Sequence, residues 1–335
     1  MRLLITGAAG FVGHHLVEGV LKLTDWEIVI LDCLTYAGSL NRLTDTGIWE
    51  QEKHRVKFIW HDLKAPISKT THRMIGKVDY VWHLAAESHI WNSLIDAVPF
   101  AYNVVGTTNL LEYLKHYQPN LKRYIGFNTD ECFGPAEQGV FCKEDDKFYP
   151  SNPYSGSKAG QWCMEYAFAH SFKMPISMVH SMNVFGERQH LEKFIPMTTK
   201  NILEGKLVVL HGIQGTNDIS SRCWIHAREV CNALLFLTEK AKNEESYNIV
   251  GEERNVLNVA NLINQVIKGE GKFLKDNEVK WIDYHLTRPG HDLRYALDGL
   301  KLKKMGFEYK MGLDESFEKT IRWMIQKENL RWLNL

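Results

Sequence analysis

The chain has 335 residues, and its 40 Lys and Arg balance its 40 Asp and Glu, so it lacks the broad positive field of a general nucleic-acid binder. Hydrophobic residues make up 44% and charged residues 24%, ordinary globular usage that argues against wholesale disorder and suggests one large or two moderate domains. No window approaches the roughly 18 uninterrupted apolar residues of a membrane span, so neither nucleic acid nor membrane is expected as a partner.

Taken in chain order, residues 3–6 form a short apolar run that ends at glycines, and Phe11–Leu23 has helical spacing. Glu27–Asp32, Val56–Trp60 and residues 78–84 read as further strands. Residues 95–117 read as one long helix, 124–128 as a fifth strand, Pro153–Phe172 as a helix and Ile176–Ser181 as a sixth strand. Strands alternating with helices predict an α/β fold, a Rossmann-like doubly wound parallel sheet with helices on both faces. The second half is less regular and predicts a smaller α/β unit. The expected division is 1–180 plus about 222–250 for the first unit, and about 181–221 with 251–335 for the second. The opening MRLLITGAAGFVG is too short in its apolar run for a secretory signal. Six cysteines form no C-x-x-C pair and fifteen histidines no H-E-x-x-H. Reduced thiols in the cytoplasm and no catalytic metal are therefore expected.

Gly7, Gly10 and Gly13 stand between a predicted strand and a predicted helix. Glycine suits a tight turn, a close approach to pyrophosphate and tight helix–strand packing, and the helix N-terminus then faces the phosphates. Asp32 ends the next strand, where a carboxylate accepts from both adenosine ribose hydroxyls and repels a 2′-phosphate, favouring NAD over NADP. Asp62, after the third strand, is a further candidate for the adenine end.

Asn152-Pro153-Tyr154-Ser155-Gly156-Ser157-Lys158 has the form of a helix start, with Ser151 or Asn152 as cap and Pro153 at the first helical position. Tyr154 and Lys158, four apart, share a helix face. An ammonium beside a phenol is expected to lower the Tyr pKa, which suits proton removal from a sugar hydroxyl. Thr129-Asp130-Glu131 follows the fifth strand, at the end of the sheet where open α/β folds bind ligands. Two neighbouring carboxyl groups there can divide into acid and base.

Together these residues resemble the extended short-chain dehydrogenase/reductase superfamily. Within it the chain is most similar to the nucleoside-diphosphate-sugar 4,6-dehydratases, the dTDP-glucose 4,6-dehydratases above all. Further marks are Leu31-Asp32-Cys33-Leu34-Thr35-Tyr36-Ala37-Gly38, His83-Leu84-Ala85-Ala86-Glu87-Ser88-His89, Glu192-Lys193-Phe194-Ile195-Pro196 and Arg288-Pro289-Gly290-His291-Asp292. The resemblance implies NAD contacts from Gly7, Gly10, Phe11, Val12, Gly13, Asp32, Asp62, Leu63, Leu84, Ala85, Ala86, Tyr154 and Lys158. It implies catalysis by Thr129, Asp130, Glu131, Tyr154 and Lys158. It implies binding of a nucleoside-diphosphate hexose by Ser88, His89, Asn183, Glu192, Lys193, Arg222, Arg288 and His291. A homodimer through a four-helix bundle is implied as well, with Trp162, Met164, Tyr166 and Phe168 as surplus apolar surface on one helix. A 4-epimerase or uronate decarboxylase would share the fold and the Tyr–Lys pair but leave Asp130 and Glu131 without that task, and a non-catalytic binding protein would need none of the five. Residues 207–222 and Trp91-Asn92 depart from the family pattern.

Overall fold

A computed structural model of the chain describes residues 1–216, 218–283 and 294–335. The strands are β1 Arg2–Thr6, β2 Glu27–Asp32, β3 Val56–Trp60, β4 Tyr80–His83, β5 Arg123–Thr129, β6 Ile176–Ser181, β7 Asn183–Phe185, β8 Val208–His211, β9 Ser221–His226, β10 Ser246–Ile249, β11 Glu252–Asn255 and β12 Val279–Ile282. Seven of them form one sheet in the order β10-β6-β5-β4-β1-β2-β3, and every pairing in it is parallel. Such strands are covered on both faces and so read as continuous apolar runs. Leu3, Leu4 and Ile5 of β1 are fully buried, as are Val29 and Ile30 of β2. The order reverses between β1 and β4, which opens a crevice beyond their carboxyl ends.

Beside this sheet stand a three-stranded sheet, β11-β9-β7, and a parallel pair, β12-β8. They share a core of their own around Phe185, Trp224 and Phe317. The chain leaves the large sheet after β6 and rejoins it through the helix Ala227–Lys240 and β10.

Two local expectations change. The helix expected over 95–117 begins instead at Val98 and runs to Tyr117, while Ile95 ends a separate short helix, Ile90–Ile95. Pro99 has no N–H to give to a preceding turn, and Asp96 Oδ1 accepts from Val98 N at 3.0 Å, where the second helix begins. The expected strand 78–84 shortens to Tyr80–His83. The helix Pro153–Phe172 starts as foreseen, and Asn152 is the cap: its Oδ1 accepts from Ser155 N at 2.9 Å and Ser155 closes the capping box.

Candidate active site

A groove of about 440 Å³ runs along the carboxyl ends of β1, β2, β4 and β5. Gly7, Gly10, Phe11, Val12, Gly13, Asp32, Asp62, Leu63, Leu84, Ala85 and Ala86 all line it. The glycines are required by shape. Gly7 has φ +73°, and a Cβ there would lie 2.7 Å from Ala85 N. A Cβ on Gly13 would collide with Gly7 O and Ala8 Cα. The backbone is therefore held open as a cradle at the start of a helix, a shape that fits a dinucleotide pyrophosphate. Asp32 accepts from Ala9 N at 2.9 Å and from Leu34 N at 2.8 Å. It thereby ties the glycine loop to the next loop while its carboxylate faces the groove.

The reactive end lies where β5 meets the helix Pro153–Phe172. Thr129, Asp130, Glu131, Tyr154 and Lys158 all line the groove there. Thr129 Oγ1 donates to Asp130 Oδ1 at 3.0 Å, and Asn152 Nδ2 donates to Glu131 Oε2 at 3.1 Å. Asp130 Oδ2 is buried with no hydrogen-bond partner among the described residues. Burial raises both carboxyls, Asp130 to about 6 and Glu131 to about 7, and Asp130's charge raises Glu131 further. The Arg222 guanidinium opposes both shifts. The two carboxyls thus hold about one proton between them near neutral pH, the state an acid–base pair needs.

Tyr154 departs from expectation. Burial and the nearby Glu131 push its phenol well above the ordinary value, and only a hydrogen bond with Thr129 pulls it down. Lys158 shares its helix face but donates elsewhere, to Phe127 O at 2.6 Å and Gln161 Oε1 at 2.7 Å. Helical spacing placed the pair on one face; side-chain partners turn the ammonium under the helix.

Of the residues expected to hold substrate, Ser88, Asn183, Glu192 and Lys193 line the groove. His89 does not, but its Nε2 lies 3.3 Å from Glu192, which also meets His190 and Lys193. Arg222 stays behind the wall, donating to Ser220 Oγ and Ser221 O with its guanidinium 5.1 Å from the Tyr295 ring centroid. Arg288 and His291 lie outside the described residues. Sequence reasoning missed Arg42, a buried wall residue that donates to Ala37 O at 2.6 Å and Arg188 O at 3.0 Å. It read Asn152 only as a helix cap, although the same amide also orients Glu131. Neither function has a local sequence signal. Among the described residues no group of three or more His, Cys, Asp or Glu is placed to hold a metal ion.

The profile of the family described as GDP-mannose 4,6 dehydratase matches residues 4–320. A dTDP-glucose 4,6-dehydratase of Salmonella typhimurium is 31% identical over 359 aligned positions, covering 100% of this chain and 95% of that protein. A solved double mutant of the dTDP-glucose 4,6-dehydratase of Streptomyces venezuelae, with NAD bound, superimposes with a TM-score of 0.86 at 28% identity, covering 98% of both chains. A UDP-glucose 4-epimerase of Thermus thermophilus, at 24% identity and a TM-score of 0.82, covers 99% of both chains and shares the fold.

Proposed function

As a member of the family described as GDP-mannose 4,6 dehydratase, the chain is a nucleotide-sugar 4,6-dehydratase, and we propose that it converts a dTDP- or UDP-glucose-type substrate to the 4-keto-6-deoxy sugar nucleotide. The observation that carries this reading is the buried Asp130–Glu131 pair, raised to about 6 and about 7 at the mouth of β5. A 4-epimerase or decarboxylase has no use for two such acids.

The Gly7–Gly13 cradle and Asp32 would hold NAD, which when bound would supply hydride-transfer chemistry. The protein supplies the proton chemistry. Tyr154, with Thr129 and Lys158, takes the proton of the sugar 4-hydroxyl. A ketone at carbon 4 makes the carbon 5 proton acidic, so elimination follows oxidation. We assign Glu131 as the base for that proton: at rest burial and the Asp130 charge raise it above Asp130, so it acts once its proton has passed on, and the Asn152 amide supports the ionised form it then needs. Asp130, with Oδ2 unpartnered, is the acid for the departing 6-hydroxyl. Ser88, Asn183, Glu192 and Lys193, which line the groove, serve the sugar and diphosphate; His89 and Arg222, which stand behind it, would join them only by turning toward the substrate, where the fixed fork of Arg222 suits phosphate oxygens. Residues 1–180 with about 222–250 hold NAD, and 181–221 with 251–335 hold the nucleotide sugar. No helix among the described residues is long and apolar enough to cross a membrane, and the free cysteines suit a cytoplasmic enzyme.

The test is isotopic. Hexose nucleotide deuterated at carbon 4 should deliver its label to the product methyl group in ordinary water. Unlabelled substrate in deuterated water should gain deuterium at carbon 5. An inverted carbon 4 with the 6-hydroxyl retained would refute dehydration and leave the fold intact.

We also propose a homodimer. Trp162 and Met164 pack on the monomer core and Phe168 is buried within it, leaving Tyr166 exposed. The helices Ile90–Ile95 and Val98–Tyr117 instead present Trp91, Ile95, Val98, Tyr102 and Val105 to solvent, and the second of them packs against Pro153–Phe172. Two helices from each subunit would close as four. Light scattering should give twice the chain mass, and Val105→Arg should lower it; a wild-type monomer would overturn the interface.

A further inference from the structure

Beneath Lys158 lies a buried polar chain that the reaction as described does not use. Lys158, Gln161 and Glu165 follow one face of the helix Pro153–Phe172. Gln161 Oε1 accepts from Lys158 Nζ at 2.7 Å, and Gln161 Nε2 donates to Glu165 Oε1 at 3.0 Å. Tyr124 OH donates to the same Oε1 at 2.8 Å, and Asn128 Nδ2 to Oε2 at 3.0 Å. Gln161 and Glu165 are both 0% exposed. Burial raises the Glu165 carboxyl above its ordinary value, and Gln161, Asn128, the Lys158 charge and Tyr124 all oppose that rise; three donors converging on one carboxyl group are the environment of a carboxylate rather than of an acid that must itself donate. β5 makes room for it: a Cβ on Gly126 would collide with the Glu165 carboxylate, which gives a reason for glycine in the middle of a buried strand.

The charges around Lys158 leave Glu165 as its counter-ion. His83 on β4 and His180 on β6 are held to about 3, by burial first and then by Lys158 itself, so both are neutral. Cys132, beside the site, is pushed up to about 12 and Tyr154 well above its ordinary value, so both keep their protons. Tyr124 is likewise neutral, raised well above its ordinary value by burial and by Glu165. Burial lowers Lys158 to about 8, and Glu165 is the leading influence against that fall.

We propose that Glu165 is a positioning residue for the reaction: through Gln161 it fixes the Lys158 ammonium, and its buried charge keeps that ammonium protonated beside Tyr154. The inference rests on the reading of Tyr154 and Lys158 as the acid–base pair.

Glu165→Gln tests the charge at nearly constant shape. The Asn128 amide can turn so that its Oδ1, which has no partner among the described residues, accepts from the new amide. Two readouts are needed. In the substrate-free protein, the Lys158 ammonium is titrated by NMR with isotope-labelled lysine, using Lys158→Met for assignment. In single turnovers with a nucleoside-diphosphate glucose, NADH formation is followed against pH. The variant should titrate Lys158 about one pH unit lower, and the alkaline fall in rate should move with it, a roughly tenfold loss above that point. Tyr124→Phe, which removes a hydrogen bond but no charge, should leave the alkaline limb in place. An unmoved Lys158 titration, or a rate loss equal at all pH values, overturns the proposal and leaves the dehydratase reading standing. A neutral Lys158 at pH 7 in the wild type overturns it without any variant. If the wild type reduces no NAD with any such hexose, the assigned reaction fails, and the titration alone decides the role of Glu165.

Discussion

Glu131→Gln is expected to turn bound NAD into NADH in a single turnover and then stop, with overall turnover down by about 10²–10⁴-fold, the usual contribution of a positioned base. An amide cannot accept the carbon 5 proton, but it leaves oxidation at carbon 4 untouched. The Asn152 amide that donates to Glu131 Oε2 keeps an acceptor in the new side-chain oxygen. In the wild type, elimination needs one proton on the pair. It should fade below about pH 5, where both carboxyls are protonated, and above about pH 8, where neither is. The same substitution should alter stability with a defined sign. The folded pKa of Glu131 lies above its unfolded value. Its contribution is therefore fully present below the unfolded pKa and is lost as pH rises through the folded one. The variant lacks that loss, so its Tm should exceed the wild type's at about pH 8 and the gap should close toward about pH 4. Turnover at the wild-type rate would show that Glu131 is not the base; absence of NADH would place it before elimination.

The strands and helices that could be read from sequence are those whose signals are local. Glu27–Asp32, Val56–Trp60, Ile176–Ser181, Phe11–Leu23 and Pro153–Phe172 have the expected bounds; the last has its start marked by the Asn152 cap and Pro153, and the apolar residues of the others are mostly contiguous or at helical spacing. The break before Val98 had its signal in Pro99, which the apolar pattern outweighed. Strands β7, β8, β11 and β12 have three or four residues, too few for a period to show. Within the site, residue type and spacing located the groove side chains. They did not give the direction of Lys158, which depends on Phe127 O and Gln161. Nor did they give the sign of the Tyr154 shift. That shift is set by burial and by Glu131 from another element, neither of which a helical spacing contains.

Tyr154→Phe is expected to retain NAD and nucleotide binding but form almost no NADH, a loss of about 10²–10⁴-fold in the first oxidation. The variant keeps the ring and its edge contact with Phe100, whose centroid lies 6.3 Å away, so packing should survive. What disappears is the only phenol among the groove residues placed beside Thr129 and the acid pair. In the substrate-free protein this phenol is raised, with its proton retained, and Lys158 is engaged beneath the helix. Proton removal from the 4-hydroxyl therefore requires the site to lower the phenol's pKa when substrate is bound, through Thr129 and the Lys158 charge. The first oxidation should accordingly speed up with rising pH until Lys158, held at about 8, begins to lose its proton. Thr129→Val should slow the same step less than Tyr154→Phe does, since it removes one hydrogen bond and leaves the base in place. Stopped-flow nicotinamide absorbance separates the cases. If Tyr154→Phe formed NADH within tenfold of the wild-type rate, the proton would have to leave by another route, and the raised phenol would be a structural consequence of burial.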